Sequence, residues 1–166
     1  MSRLLIVDDS EQNLYMLQVL LCANGFQVEQ ACNGAQALEL ARANPPDMIV
    51  TDILMPVMDG FALCRAWKKD ELLKNIPFIF YTATYTDQKD EDFALSLGAE
   101  RFIIKPAEPE IFLAIVRETI NNRNLPRPVA SFRTLEEAEY YREYSEALIR
   151  KLEDKMVQLE EANRTL

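Results

Sequence analysis

Five short apolar runs, at 3–7, 26–30, 48–51, 78–81 and 101–104, recur along the first 123 residues. Amphipathic stretches at roughly 11–23, 34–43, 59–73, 87–97 and 108–122 separate them, with apolar residues at helical spacing. Several of the short runs, LLIV and FIFY among them, are continuous rather than alternating. A strand that is apolar on both faces must be covered on both faces, which suits a parallel sheet between two layers of helices. Gly25 and Gly98 fall where helices should end, and Pro46 and Pro77 punctuate the approach to two strands. Five βα repeats in about 120 residues predict a doubly wound α/β domain.

The ends of the runs carry the chemistry. The first ends at Asp8 and Asp9, the third at Asp52, and the fifth at Lys105-Pro106, while the fourth runs into Thr82. Asp8-Asp9-Ser10 is also ordinary turn and helix-start chemistry, so the acid pair says little alone. In a doubly wound sheet, however, ligands bind beyond the carboxyl ends of the strands, where the strand order reverses. If the first and third strands are neighbours, three carboxylates converge with one ammonium nearby. Ionised acids so placed destabilise one another unless a cation neutralises them. Hard carboxylate oxygens favour Mg²⁺, which keeps several waters and accepts oxygens from phosphate.

Composition removes competing chemistries. The net charge of −9 argues against nucleic-acid binding, which needs clustered Lys and Arg. The absence of histidine excludes His-based metal sites, Ser-His-Asp triads and phosphohistidine chemistry within these 166 residues. Cys22, Cys32 and Cys64 are odd in number and unpatterned, as expected of core thiols in a reducing compartment. With no leader and no apolar run of membrane-spanning length, a cytoplasmic location away from the membrane is expected.

Taken in order, IVDDS (Asp8, Asp9), VTDILMPVMDG (Asp52), YTA (Thr82) and FIIKP (Lys105, Pro106) resemble the receiver domain of two-component response regulators over residues 3 to about 122. The resemblance implies the flavodoxin-like receiver fold, a five-stranded parallel sheet in the order 2-1-3-4-5. It implies that Asp52 is the phosphoacceptor and that a histidine kinase or phosphotransfer protein is the donor. Asp9 and Asp52 would hold Mg²⁺ directly, Asp8 directly or through water, and the Leu54 backbone carbonyl would add an oxygen. Lys105 and Thr82 would contact the phosphoryl oxygens, and the Lys105–Pro106 bond would be cis. Phe102 would act with Thr82 as a switch, and Leu54 and Thr84, which cannot orient a water, would give a long-lived phosphoryl group. The protein would then be no ordinary enzyme, catalysing only its own phosphorylation and slow dephosphorylation. Asp59-Gly60 reads as the start of the third helix, and Met55 and Met58 as residues that pack and shape the loop.

Beyond a receiver at 1–123, NNRNLPRP marks a linker at 124–133. Residues 134–166 follow without Gly or Pro and open on Thr134 and Glu137 at capping-box spacing. Ile149, Leu152, Met156, Leu159, Asn163 and Leu166 have the 3,4 spacing of a coiled-coil seam, with Asn163 able to specify register. Tyr141, Tyr144 and Leu148 form an upstream stripe that joins this seam through a stutter. The expected arrangement is a helix with no globular partner of its own in this chain, forming a parallel homodimer and leading to an output domain beyond Leu166. The alternative is a helix packed on its own receiver. Two other functional classes stay open: a docking scaffold that never uses Asp52, and a Mg²⁺-dependent aspartyl phosphohydrolase. The second is disfavoured because Ile53 and Leu54 stand where such enzymes place a second acid.

Overall fold

The computed structural model describes residues 2–83, 88–122 and 137–164. The expected linker, Thr84, Thr134, Leu166 and the side chains of Glu137, Tyr141 and Asn163 lie outside the described residues. In chain order the elements are β1 (Arg3–Val7), α1 (Glu11–Ala23), β2 (Gln27–Ala31), α2 (Gly34–Ala43), β3 (Met48–Thr51) and α3 (Gly60–Lys69). There follow β4 (Phe78–Thr82), α4 (Gln88–Ser96), β5 (Arg101–Ile104), α5 (Pro109–Asn121) and α6 (Glu137–Arg164).

The five strands form one parallel sheet in the order β2-β1-β3-β4-β5. Its continuous apolar runs feed two cores, because successive side chains of a strand point to opposite faces. Leu5, Val7, Ile49, Phe78 and Phe80 pack with Leu38, Phe61, Trp67 and Phe93 on the side of α2, α3 and α4. Leu4, Ile6, Val50 and Ile79 pack with Leu14, Leu21, Phe112 and Val116 on the side of α1 and α5. Each of the larger side chains removed from water stabilises the fold by about 1.5–3 kcal/mol. This is the doubly wound architecture expected from the sequence, with β1 and β3 adjacent and Val7 opposite Thr51. Among the described residues no helix is long and apolar enough to cross a membrane.

Element ends follow local chemistry. The N–H of Gly25 donates to the Cys22 carbonyl and that of Phe26 to the Leu21 carbonyl, with Gly25 at φ +91°. This pair of bonds is a Schellman closure. It binds Phe26 to the end of α1, so β2 begins one residue later than the apolar run suggested. The third helix stops at Lys69 rather than near residue 73. Asp70 takes extended backbone angles, and its carboxylate accepts from the N–H of Leu72. Such a side-chain bond offers the backbone an alternative to continued helix.

The sixth helix departs most from expectation. Its first half has a globular partner: Tyr140 and Ala147 are buried in the core beside α3 and α4, with Tyr144 and Leu148 packed against it. The Tyr140 ring lies 5.9 Å from that of Phe93 and stacks on Tyr144 at 5.4 Å, and the Arg65 guanidinium sits 3.7 Å over it. Tyr140, which the expected stripe did not include, meets Phe93, and burial of Tyr140 with Ala147 draws the helix back onto the domain. Ile149, Leu152, Met156 and Leu159 nevertheless remain exposed.

Candidate functional site

Parallel pairing of β1 with β3 brings their carboxyl ends side by side. Asp8, Asp9 and Asp52 follow those ends, and each offers a carboxylate oxygen within 4.8 Å of the others. Asp8 is buried, Asp52 half-buried and Asp9 exposed at the rim. Asp8 is firmly held: its Oδ1 accepts from the N–H of Ser10 at 2.9 Å, and its Oδ2 from Asn13 Nδ2 at 3.2 Å. Ser10 in turn caps α1 through the N–H of Asn13. The start of that helix therefore also fixes the acid.

Lys105 enters from the end of β5. Its Nζ donates to Asp8 Oδ2 at 2.9 Å, lies 3.7 Å from Asp52 Oδ2 and sits 5.2 Å from the centre of the Tyr81 ring. Its backbone N–H donates to the Thr82 carbonyl at 2.8 Å, and the Lys105–Pro106 bond is cis. Thr82, at the end of β4, is fully buried. The pocket thus unites Asp8, Asp9, Asp52 and Lys105, with Thr82 joined to Lys105 through the backbone.

Partial desolvation at the rim raises the Asp9 carboxyl above its ordinary range, and the hydrogen bond and charge of neighbouring Asp8 raise it further. Three close carboxylates, one of which resists ionisation, suit a hard divalent cation such as Mg²⁺. Asp8, Asp9 and Asp52 are the side chains able to hold it. Leu54, the expected carbonyl donor, lies half-buried in the loop after Asp52.

That loop is tightly backed. The N–H of Ile53 donates to Asp52 Oδ1 at 2.7 Å, and the N–H of Gly60 to the Ile53 carbonyl at 2.7 Å. A Cβ on Gly60 would stand 2.3 Å from the Asp52 carbonyl oxygen, so only glycine fits. Asp59 caps α3 through the N–H of Ala62. Met55 and Met58 pack against the core, and the Met58 carbonyl accepts from Gly34. Phe102, the expected switch residue, is half-buried with its ring 6.1 Å from that of Phe80.

Sequence reasoning missed Asn13, Tyr81 and Asp90. The position of Asn13 three residues after a capping serine was a usable signal, since α1 projects it back toward Asp8. Asp90 gave none: it is a buried acid on α4 that pairs with Arg150 at 2.8 Å across 60 residues of sequence.

Comparison with known proteins agrees with this geometry. The family model described as the response regulator receiver domain matches residues 4–117. The response regulator PleD of Caulobacter vibrioides is 38% identical over 116 residues, covering 70% of this chain and 25% of PleD. Protein PilH of Pseudomonas aeruginosa is 36% identical over 120 residues, covering 72% of this chain and 98% of PilH. The signal receiver domain of a signal transduction histidine kinase from Syntrophus aciditrophicus superposes with a TM-score of 0.69 at 32% identity. That match covers 81% of this chain and 98% of the other. The chain therefore spans a quarter of PleD but nearly all of PilH.

Proposed function

The chain belongs to the response regulator receiver family of two-component signalling, and we propose that it accepts a phosphoryl group on Asp52 in a Mg²⁺-dependent reaction and transmits the change through a dimeric helical stalk. The donor is a histidine kinase or phosphotransfer protein. One observation carries this reading: three acids from two strand ends lie within 4.8 Å of one another, with the Lys105 ammonium 3.7 Å from Asp52.

The reaction follows from these groups. A carboxylate oxygen of Asp52 attacks phosphorus, the bond between phosphorus and the donor's imidazole nitrogen breaks, and its electron pair leaves with the nitrogen. An acyl phosphate remains. Mg²⁺ held by Asp8, Asp9, Asp52 and the Leu54 carbonyl would neutralise charge on the phosphoryl oxygens. Lys105 takes part of the same charge, and its bond to buried Asp8 keeps it oriented. Thr82 contacts one phosphoryl oxygen, and Phe102 repacks in response. On this reading residues 1–123 are the receiver, 124–133 a linker and 134–166 the stalk toward an output domain, in the cytoplasm and without bound nucleic acid. The seam is built from Ile149, Leu152, Met156, Leu159, Asn163 and Leu166.

The test is to incubate the protein with Mg²⁺ and acetyl phosphate and weigh it. A single phosphoryl adduct that disappears in Asp52→Asn and in EDTA is expected. An unmodified mass would make the protein a docking scaffold, and turnover of small phosphate esters would make it a hydrolase.

A further inference from the structure

Outside the acid pocket, one buried ammonium group stands out. Lys151 of α6 is 0% exposed, and its Nζ has no hydrogen-bond partner among the described residues. The Asp90 Oδ2 lies 3.7 Å away, within ion-pair range but too far for a hydrogen bond. An ammonium carries three donors, and leaving all of them unused in the interior is costly. Burial pushes Lys151 below the ordinary lysine range, while the charges of Asp90, Asp52 and Asp154 act in the opposite sense.

The helix is pinned to the loop that starts at Asp52 and to the first turn of α4. The Tyr144 hydroxyl donates to Asp59 Oδ2, at the far end of the loop that starts at Asp52. Arg150 Nη2 donates to Asp90 Oδ1 at 2.8 Å, in the first turn of α4, which follows the loop starting at Thr82. These two contacts fix Lys151 while leaving its donors without acceptors.

We propose that Lys151 is a phosphoryl-binding residue supplied by α6: docking of this helix presents a second ammonium to the oxygens that arrive on Asp52. The inference rests on Asp52 being the phosphoacceptor. A phosphoryl group replaces a single carboxylate charge with about −1.5 to −2 and brings three strong acceptor oxygens. It therefore supplies the hydrogen-bond acceptors that the 3.7 Å pairing with Asp90 leaves Lys151 without. By linkage, whatever the docked helix adds to the stability of the phosphoryl group, the phosphoryl group adds to docking of the helix.

Hydrogen exchange on the full chain tests this, with Mg²⁺ present, with and without saturating acetyl phosphate, and with adduct occupancy read by mass. Phosphorylation is expected to slow exchange of α6 amides between 140 and 155 by about fivefold or more. At equal occupancy Lys151→Met should lose that slowing, and Lys151→Arg should restore part of it. Wild-type protein that carries the adduct yet shows unchanged or faster exchange would overturn the proposal. So would a Lys151→Met response equal to that of wild type. If no adduct forms at all, the assignment of Asp52 fails and this inference falls with it, an outcome visible in the mass alone.

Discussion

Asp9 carries an electrostatic cost in the pocket. Its carboxyl is raised, first by partial desolvation and then by Asp8 beside it. The sign of the consequence is fixed by linkage. A carboxyl with a folded pKa above its unfolded value binds protons more readily in the fold, so stability falls as pH rises from about 3.8 through the folded value. The loss then persists at neutral pH. Because Asp9 stands at the exposed rim, water screens the effect to no more than about 1 kcal/mol. In EDTA at pH 7, Asp9→Asn should raise Tm by at most about 2–4 °C. Mg²⁺ should raise the Tm of wild type and have a much smaller effect on the variant. A calorimetric scan showing the same Mg²⁺ gain in both would remove Asp9 from the metal site. Residues of this kind were legible in the sequence, since strand-end acids converge once β1 and β3 are neighbours. Lys151 was not, because nothing in a charged helix says which of its lysines will be buried.

At the scale of elements, the junction between β3 and α3 sets the position of Asp52. Asp59 caps the helix, and Gly60 lets the helix start directly beneath the Asp52 carbonyl. Gly60→Ala would drive a methyl group into backbone at 2.3 Å, with the Phe80 ring a further neighbour at 3.1 Å. Overpacking of this kind costs about 1–3 kcal/mol. Urea denaturation should register that loss, and formation of the Asp52 adduct should slow as its loop is displaced. An unchanged midpoint would mean that the helix start can shift freely. Apolar runs and glycine positions made the elements themselves readable. The limits of α3 were obscured because Asp70 ends the helix through its own side-chain bond to Leu72, against an apolar pattern that continues to buried Leu73.

For the whole molecule, the long helix was the hardest feature to read because it serves two surfaces at once. At 1.5 Å per residue its 28 residues extend about 42 Å. Tyr140, Tyr144, Ala147 and Lys151 follow 4,3,4 spacing and form the docked stripe. Ile149, Leu152, Met156 and Leu159 follow 3,4,3 spacing and are 53–61% exposed. At 3.6 residues per turn the centres of the two stripes lie about 130° apart around the helix. A second copy can therefore pack along the exposed stripe without displacing the receiver from the docked one. Heptad spacing in the sequence could signal either surface but could not say that both were present. Burying a Leu or Met stabilises by about 1.5–3 kcal/mol. Leu152→Glu combined with Met156→Glu should therefore convert a dimer at micromolar concentration to monomer in sedimentation. Tyr144→Phe with Arg150→Ala should loosen docking, read as faster amide exchange in α6, and leave the sedimentation coefficient dimeric. If the second pair also dissociates the protein, the two stripes depend on one another, and docking of the receiver is itself a condition for assembly.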